Sequence, residues 1–144
     1  NICQPSVVAF GQKDAQQVAV IKRMVRDLNF QIDVLVGPII REYDGLAMSS
    51  RNRYLSAEHR ETALFLNRSL QVGKQLFTDG VTDARKIINQ IKSELSRVDG
   101  LELDYVEIVS RENLIAEIDV KKNQSICVIA VWVNKVRLID NYCF

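Results

Sequence analysis

Histidine is almost absent from this 144-residue chain: His59 is the only one, set among charged neighbours in SAEHRE. A single imidazole argues against a histidine-rich metal site or a Ser-His-Asp relay, and His59 reads as an ordinary exposed helix residue. Cysteine is scarce too. Cys3, Cys127 and Cys143 are odd in number and far apart, with no Cys-x-x-Cys pair. That spacing indicates neither a disulfide framework nor a zinc knuckle and suits a reducing cytoplasm. No apolar run approaches the roughly 18 residues of a membrane span, and the opening NICQPSVVAF lacks the regions of a signal peptide. Net charge is also missing: 19 Lys and Arg against 18 Asp and Glu leave +1. That balance argues against a general nucleic-acid or membrane-surface binder, so any basic site must be local. What the chain does have is 47% hydrophobic residues, enough for one domain or two small ones.

The first fifty residues read as α/β architecture. SVVAF is a short β-branched run ending at Gly11; Val18, Ile21, Val25 and Leu28 follow at helical spacing; IDVLVG is a second buried run. This is one βαβ unit, with parallel strands and a crossover helix. Two strands are too few for a covered parallel sheet, so the expectation is a portion of a longer protein whose earlier strands are missing. From Ser56 the texture changes. Ser56 is a candidate cap for a helix with Ala63, Leu66, Leu70 and Phe77 on one stripe, stopping at Asp79 and Gly80. Thr82 is the expected N-cap of a second helix carrying Ala84, Ile87, Ile88, Ile91 and Leu95. Three strands follow. LELDYVEIV breaks its alternation after Tyr105, which suggests a bulge or burial on both faces, and Asn134 with Lys135 can turn SICVIAVWV into VRLID as a hairpin. The second half therefore reads as two helices on a small, mainly antiparallel sheet. The boundary falls within SSRNRYLS, separating residues 1–52 from 53–144.

Two stretches concentrate polar groups suited to chemistry. In FGQKDAQQ, at the first strand-to-helix turn, Gly11 lets a ligand approach the backbone and Lys13 offers a charge for phosphate. Asp14 and Gln17 offer partners for hydroxyls beside free helix N–H groups. The same Asp14 and Gln17 also have capping-box spacing, and the two roles can coexist. In GLAMSSRNRYLS, Ser49, Ser50 and Arg51 follow the second parallel strand, short donors with a fixed positive charge behind them. A solvated linker with one serine capping a helical turn competes with that reading. The joint occurrence favours a nucleotide site, because both stretches end strands expected to be neighbours.

FGQKDAQQ, IIREYDGLAMSSRNRYLS and LDYVEIV together resemble the pantothenate synthetases, ATP-dependent ligases that join pantoate to β-alanine in vitamin B5 and coenzyme A biosynthesis. The resemblance spans essentially the whole chain. It implies a Rossmann-like nucleotidyltransferase domain, here partial, followed by a C-terminal lid, with AMSSR similar to the KMSKS loop of class I aminoacyl-tRNA synthetases. It further implies that Gly11 and Asp14 contact the ATP ribose and that Lys13, Ser49, Ser50 and Arg51 hold the phosphates and carry catalysis. Phe10 and Gln17 would then line the pantoate pocket, and Ile40 and Met48 would border the adenine, chiefly through backbone groups. The implied reaction runs through a pantoyl adenylate with magnesium accompanying ATP, in a cytoplasmic homodimer with no nucleic-acid or membrane partner and no metal ligand in this chain. The family's His-x-Gly-His motif and much of its substrate pocket have no counterpart here, so the chain alone is expected to be inactive. A non-catalytic helix-and-sheet interaction module and a nucleotidyltransferase of another substrate class are the alternatives.

Overall fold

Val7–Gly11 is extended because its β-branched residues favour the pleated conformation, and it forms β1; residues 2–144 are described by the computed structural model. β1 pairs in parallel with β2, Asp33–Gly37, from Val7 opposite Asp33 to Gly11 opposite Gly37. Helix α1, Ala15–Asp27, makes the crossover. Of its apolar stripe, Val18 is buried and Ile21 and Val25 half-buried, whereas Leu28, just past the last turn, is 60% exposed. A two-stranded sheet covers only part of one helix face.

The remaining elements enclose the main core. Helices α2 (Ala57–Ala63), α3 (Phe65–Thr78) and α4 (Ala84–Leu95) lie on one face of an antiparallel sheet of β3 (Leu101–Ser110), β4 (Ser125–Val133) and β5 (Val136–Cys143), in the order β3-β4-β5. Leu66, Leu70, Ile87, Ile91 and Leu95 meet Val106, Ile108, Cys127, Ile129 and Val131, all essentially inaccessible to solvent. Alternation along each strand sends Tyr105, Glu107, Val128 and Asn141 to the opposite face, toward the βαβ unit. The molecule is thus a mixed α/β structure with one parallel and one antiparallel sheet. No helix among the described residues is long and apolar enough to cross a membrane.

Most sequence signals act where they stand. Ser56 caps α2, its Oγ accepting the His59 N–H at 3.2 Å. The register of β3 shifts between Leu103 and Tyr105, a bulge at Asp104. Val133 pairs with Val136 around a two-residue turn in which Asn134 takes the positive φ of 53°, so Lys135 needs no glycine's freedom. Three details differ. The helix expected from Ser56 is divided at Leu64 into α2 and α3, with Ala63, Leu64 and Leu66 all buried around the break. Asp83, not Thr82, is the N-cap of α4, accepting the N–H groups of Arg85 and Lys86; the Thr82 carbonyl is taken instead by the Val120 N–H at 2.7 Å. His59 is half-buried rather than exposed.

Candidate functional site

β1 ends at Gly11, and the chain turns through Gln12, Lys13 and Asp14 into α1. Asp14 is the N-cap residue, yet with ψ of 61° its side chain makes no capping bond. The capping-box alternative therefore fails, and the reason lies outside the turn. The Asn141 amide on β5 donates to the carbonyls of Gln12 (2.9 Å) and Lys13 (3.0 Å), and Gln12 Nε2 donates back to Asn141 Oδ1 (3.2 Å). The turn is shaped by a strand nearly 130 residues away in sequence, which leaves the Asp14 carboxylate at the mouth of a cleft beside the first N–H groups of α1.

The second segment is a folded loop. Met48 donates its N–H to the Ile40 carbonyl and Glu42 to Leu46, with Gly45 at φ 95° closing the bend. Arg60 on α2 grips Glu42 and Asp44 at 2.6 and 2.7 Å. The Asn52 amide donates to Glu42 and to the Ala47 carbonyl. Asn52 and Arg60 hold the Glu42 carboxyl below its ordinary range, and Arg60 does the same for Asp44. Ser49 Oγ accepts the Arg51 N–H at 3.3 Å and so caps the 3-10 turn Ser50–Tyr54. That much of the linker alternative holds, but the segment is tied down: Arg41 binds Asp140 through both guanidinium nitrogens, at 2.7 and 3.1 Å.

The two segments converge. Lys13, Asp14, Gln17 and Arg51 line one cleft of about 500 Å³, whose far wall is the outer face of β3–β5 with Tyr105, Glu107 and Arg137. Lys13 also meets Ser49 in a narrow crevice beside it, where the buried Asn52 Oδ1 has no hydrogen-bond partner. Burial lowers the Lys13 pKa below its ordinary value; Asp14 and Asp140 oppose the shift, and Arg51 is near enough to add to it. Ser50 is exposed at the start of the 3-10 turn; Gly11, Ile40 and Met48 are exposed and Phe10 half-buried. None of these five lines the cleft. A larger hollow, about 920 Å³, lies between α1 and residues 110–124 and gathers none of the candidate residues.

Sequence reasoning missed Arg41, Asn52, Asp140 and Asn141. One signal was available: Asp140–Asn141 is a polar pair within the otherwise apolar end of β5. The cleft is lined by three cations (Lys13, Arg51 and Arg137) and three carboxylates (Asp14, Glu107 and Asp140); its Lys13–Arg51 side, with Asp14, Gln17 and a helix N-terminus, suits a polyphosphate ester with a hydroxylated portion.

Residues 1–143 match the family described as pantoate-beta-alanine ligase. The pantothenate synthetase of Pseudothermotoga lettingae is 50% identical over 141 residues, covering 98% of this chain and 50% of its own. The crystal structure of pantothenate synthetase from Thermus thermophilus superposes with a TM-score of 0.90 at 38% identity, over 96% of this chain and 50% of that one. A pantoate-beta-alanine ligase from Francisella tularensis, solved in complex with beta-gamma ATP and beta-alanine, gives a TM-score of 0.62 at 29% identity, over 99% of this chain and 45% of its own. The chain thus spans about half the length of the relatives it matches. On the family match over residues 1–143 and this shared fold, the chain belongs to the pantoate-beta-alanine ligase family.

Proposed function

We propose that this chain supplies the phosphate-binding part of the ATP site and the lid of a ligase that condenses pantoate with β-alanine, releasing AMP. The observation that carries the reading is the convergence of Lys13 and Arg51 on one cleft, in a chain whose family relatives bear that activity in their names. In this reading residues 1–52 belong to a Rossmann-like ATP-binding domain and 53–144 to the lid. The pantoate carboxylate attacks the α-phosphorus of ATP, pyrophosphate leaves, and the β-alanine amine then displaces AMP from the pantoyl adenylate.

The chain's own residues act by position and charge. Lys13 and Arg51 face the phosphates and offset the negative charge that grows as the α-phosphorus is attacked. Asp14 accepts from the ribose with Gly11 beneath it, Gln17 and Phe10 hold pantoate, and Ser49 and Ser50 bind the outer phosphates. Ile40 and Met48 border the adenine. Their mutual backbone bond leaves the Ile40 N–H and the Met48 carbonyl to face the base. Magnesium, in this scheme, would accompany ATP and neutralise part of its phosphate charge. β-Alanine and much of pantoate are held by the half that this chain does not match, which makes the chain inactive by itself; the parent enzyme, in this reading, is a cytoplasmic homodimer.

Titration of the chain with ATP tests the phosphate reading. Wild type binds, and Lys13→Ala and Ser50→Ala each weaken binding about tenfold, the size of one lost charge-assisted hydrogen bond. Equal affinity in all three would reject it.

A further inference from the structure

Asp140 and Asn141 are consecutive residues of β5, so their side chains leave the strand on opposite faces. Both are 3% exposed. Each is committed to one of the two segments that form the cleft. The Asn141 side chain makes three bonds, all to Gln12 and Lys13; the Asp140 carboxylate receives the two terminal nitrogens of Arg41, at the root of the loop that ends in Ser49–Arg51, and its Oδ1 also accepts the Asn141 backbone N–H at 2.8 Å. The sheet itself does not require them. β5 is already paired with β4 from Val136 to Cys143, and burying a carboxylate and an amide costs desolvation that an apolar pair would avoid. What they provide is a fixed distance between two segments that otherwise share no strand.

We propose that Asp140 and Asn141 are positioning residues: Asn141 fixes the turn that carries Lys13, Asp140 fixes the loop that carries Arg51, and β5 sets the separation of the two cations across the cleft. The inference rests on the phosphate reading of Lys13 and Arg51. It makes the lid a gauge as well as a cover, since any shift of β5 moves both cations together.

Amide hydrogen exchange on the nitrogen-15-labelled chain separates this role from general support of the fold. Asn141→Ser raises exchange about tenfold in residues 12–17 and leaves residues 40–52 as in wild type. Asp140→Asn does the reverse, and β3 and β4 stay protected in both. Gln12→Ala, which removes one of the three bonds without touching β5, loosens the same turn by less and stands in should Asn141→Ser fold poorly. The pH titration of the Lys13 ammonium gives a second readout: it moves up toward the ordinary lysine value in Asn141→Ser as the turn opens to water, and further down in Asp140→Asn as an opposing charge is lost. Unchanged exchange in the turn, or an equal rise across both segments and all of β5, would overturn the proposal. ATP titrated into the same samples keeps the two readings apart. If Lys13→Ala binds ATP as wild type does while the segment-selective loosening persists, the phosphate reading fails and the fastening stands; if Lys13→Ala weakens binding and Asn141→Ser changes neither exchange nor affinity, the fastening fails alone.

Discussion

Arg60 shows how much of the loop geometry rests on one side chain. Its guanidinium holds Glu42 and Asp44; Asn52 and Arg60 together keep the Glu42 carboxyl below its ordinary value, and Arg60 does so for Asp44. A carboxyl with a depressed folded-state pKa stabilises the fold fully above its unfolded value, here 4.5 for Glu42 and 3.8 for Asp44, and that stability is lost as pH falls through the folded value. The loop therefore loosens in acid. Thermal unfolding followed from about pH 6 down to pH 3 is expected to show the melting temperature falling less steeply in Arg60→Gln than in wild type, because the variant has already lost the ion pairs. Parallel curves would contradict the assignment. The residue scale is also where sequence reasoning had its clearest failure: Asp14 and Gln17 satisfy the capping-box spacing, yet the turn obeys Asn141, and no local pattern encodes a partner so far along the chain.

At the scale of elements, α3 and α4 pack closely because Gly73 faces α4. A Cβ at position 73 would lie 2.7 Å from Ile91 Cδ1 and 3.2 Å from Ile87 Cγ2. Overpacking a filled core costs about 1–3 kcal/mol, against about 1 kcal/mol recovered from replacing glycine inside a helix. Gly73→Ala is therefore expected to destabilise the chain by up to about 2 kcal/mol in chemical denaturation; a stabilised variant would mean that Ile91 moves aside freely. The elements themselves were largely legible. β1, α1, β2, the Ser56 cap and the Asn134 turn follow from period, cap and turn residues that act within a few positions. The Asp83 cap of α4 was not legible, because the claim on Thr82 comes from Val120. Nor was the division at Leu64 between α2 and α3, which no glycine or proline marks.

For the molecule as a whole, the candidate cleft sits between its two sheets. The βαβ unit brings the helix N-terminus and Lys13, the loop brings Arg51, and the outer face of β3–β5 closes the cleft. Both phosphate-type motifs were readable as chemistry, since their residue types at strand ends have few other uses. Their convergence was expected too, because both follow the ends of neighbouring parallel strands; the bonds that Asp140 and Asn141 make to the two segments were not legible, since they come from a strand 99 and 129 residues further along the chain. The most direct test joins this chain to the half of the Pseudothermotoga lettingae synthetase that it does not match, supplies ATP, pantoate and β-alanine, and measures products. Pantothenate and AMP should form in equal amounts, with Lys13→Ala slowing the reaction about a hundredfold or more; release of ADP in place of AMP, or an undiminished rate in Lys13→Ala, would contradict the account.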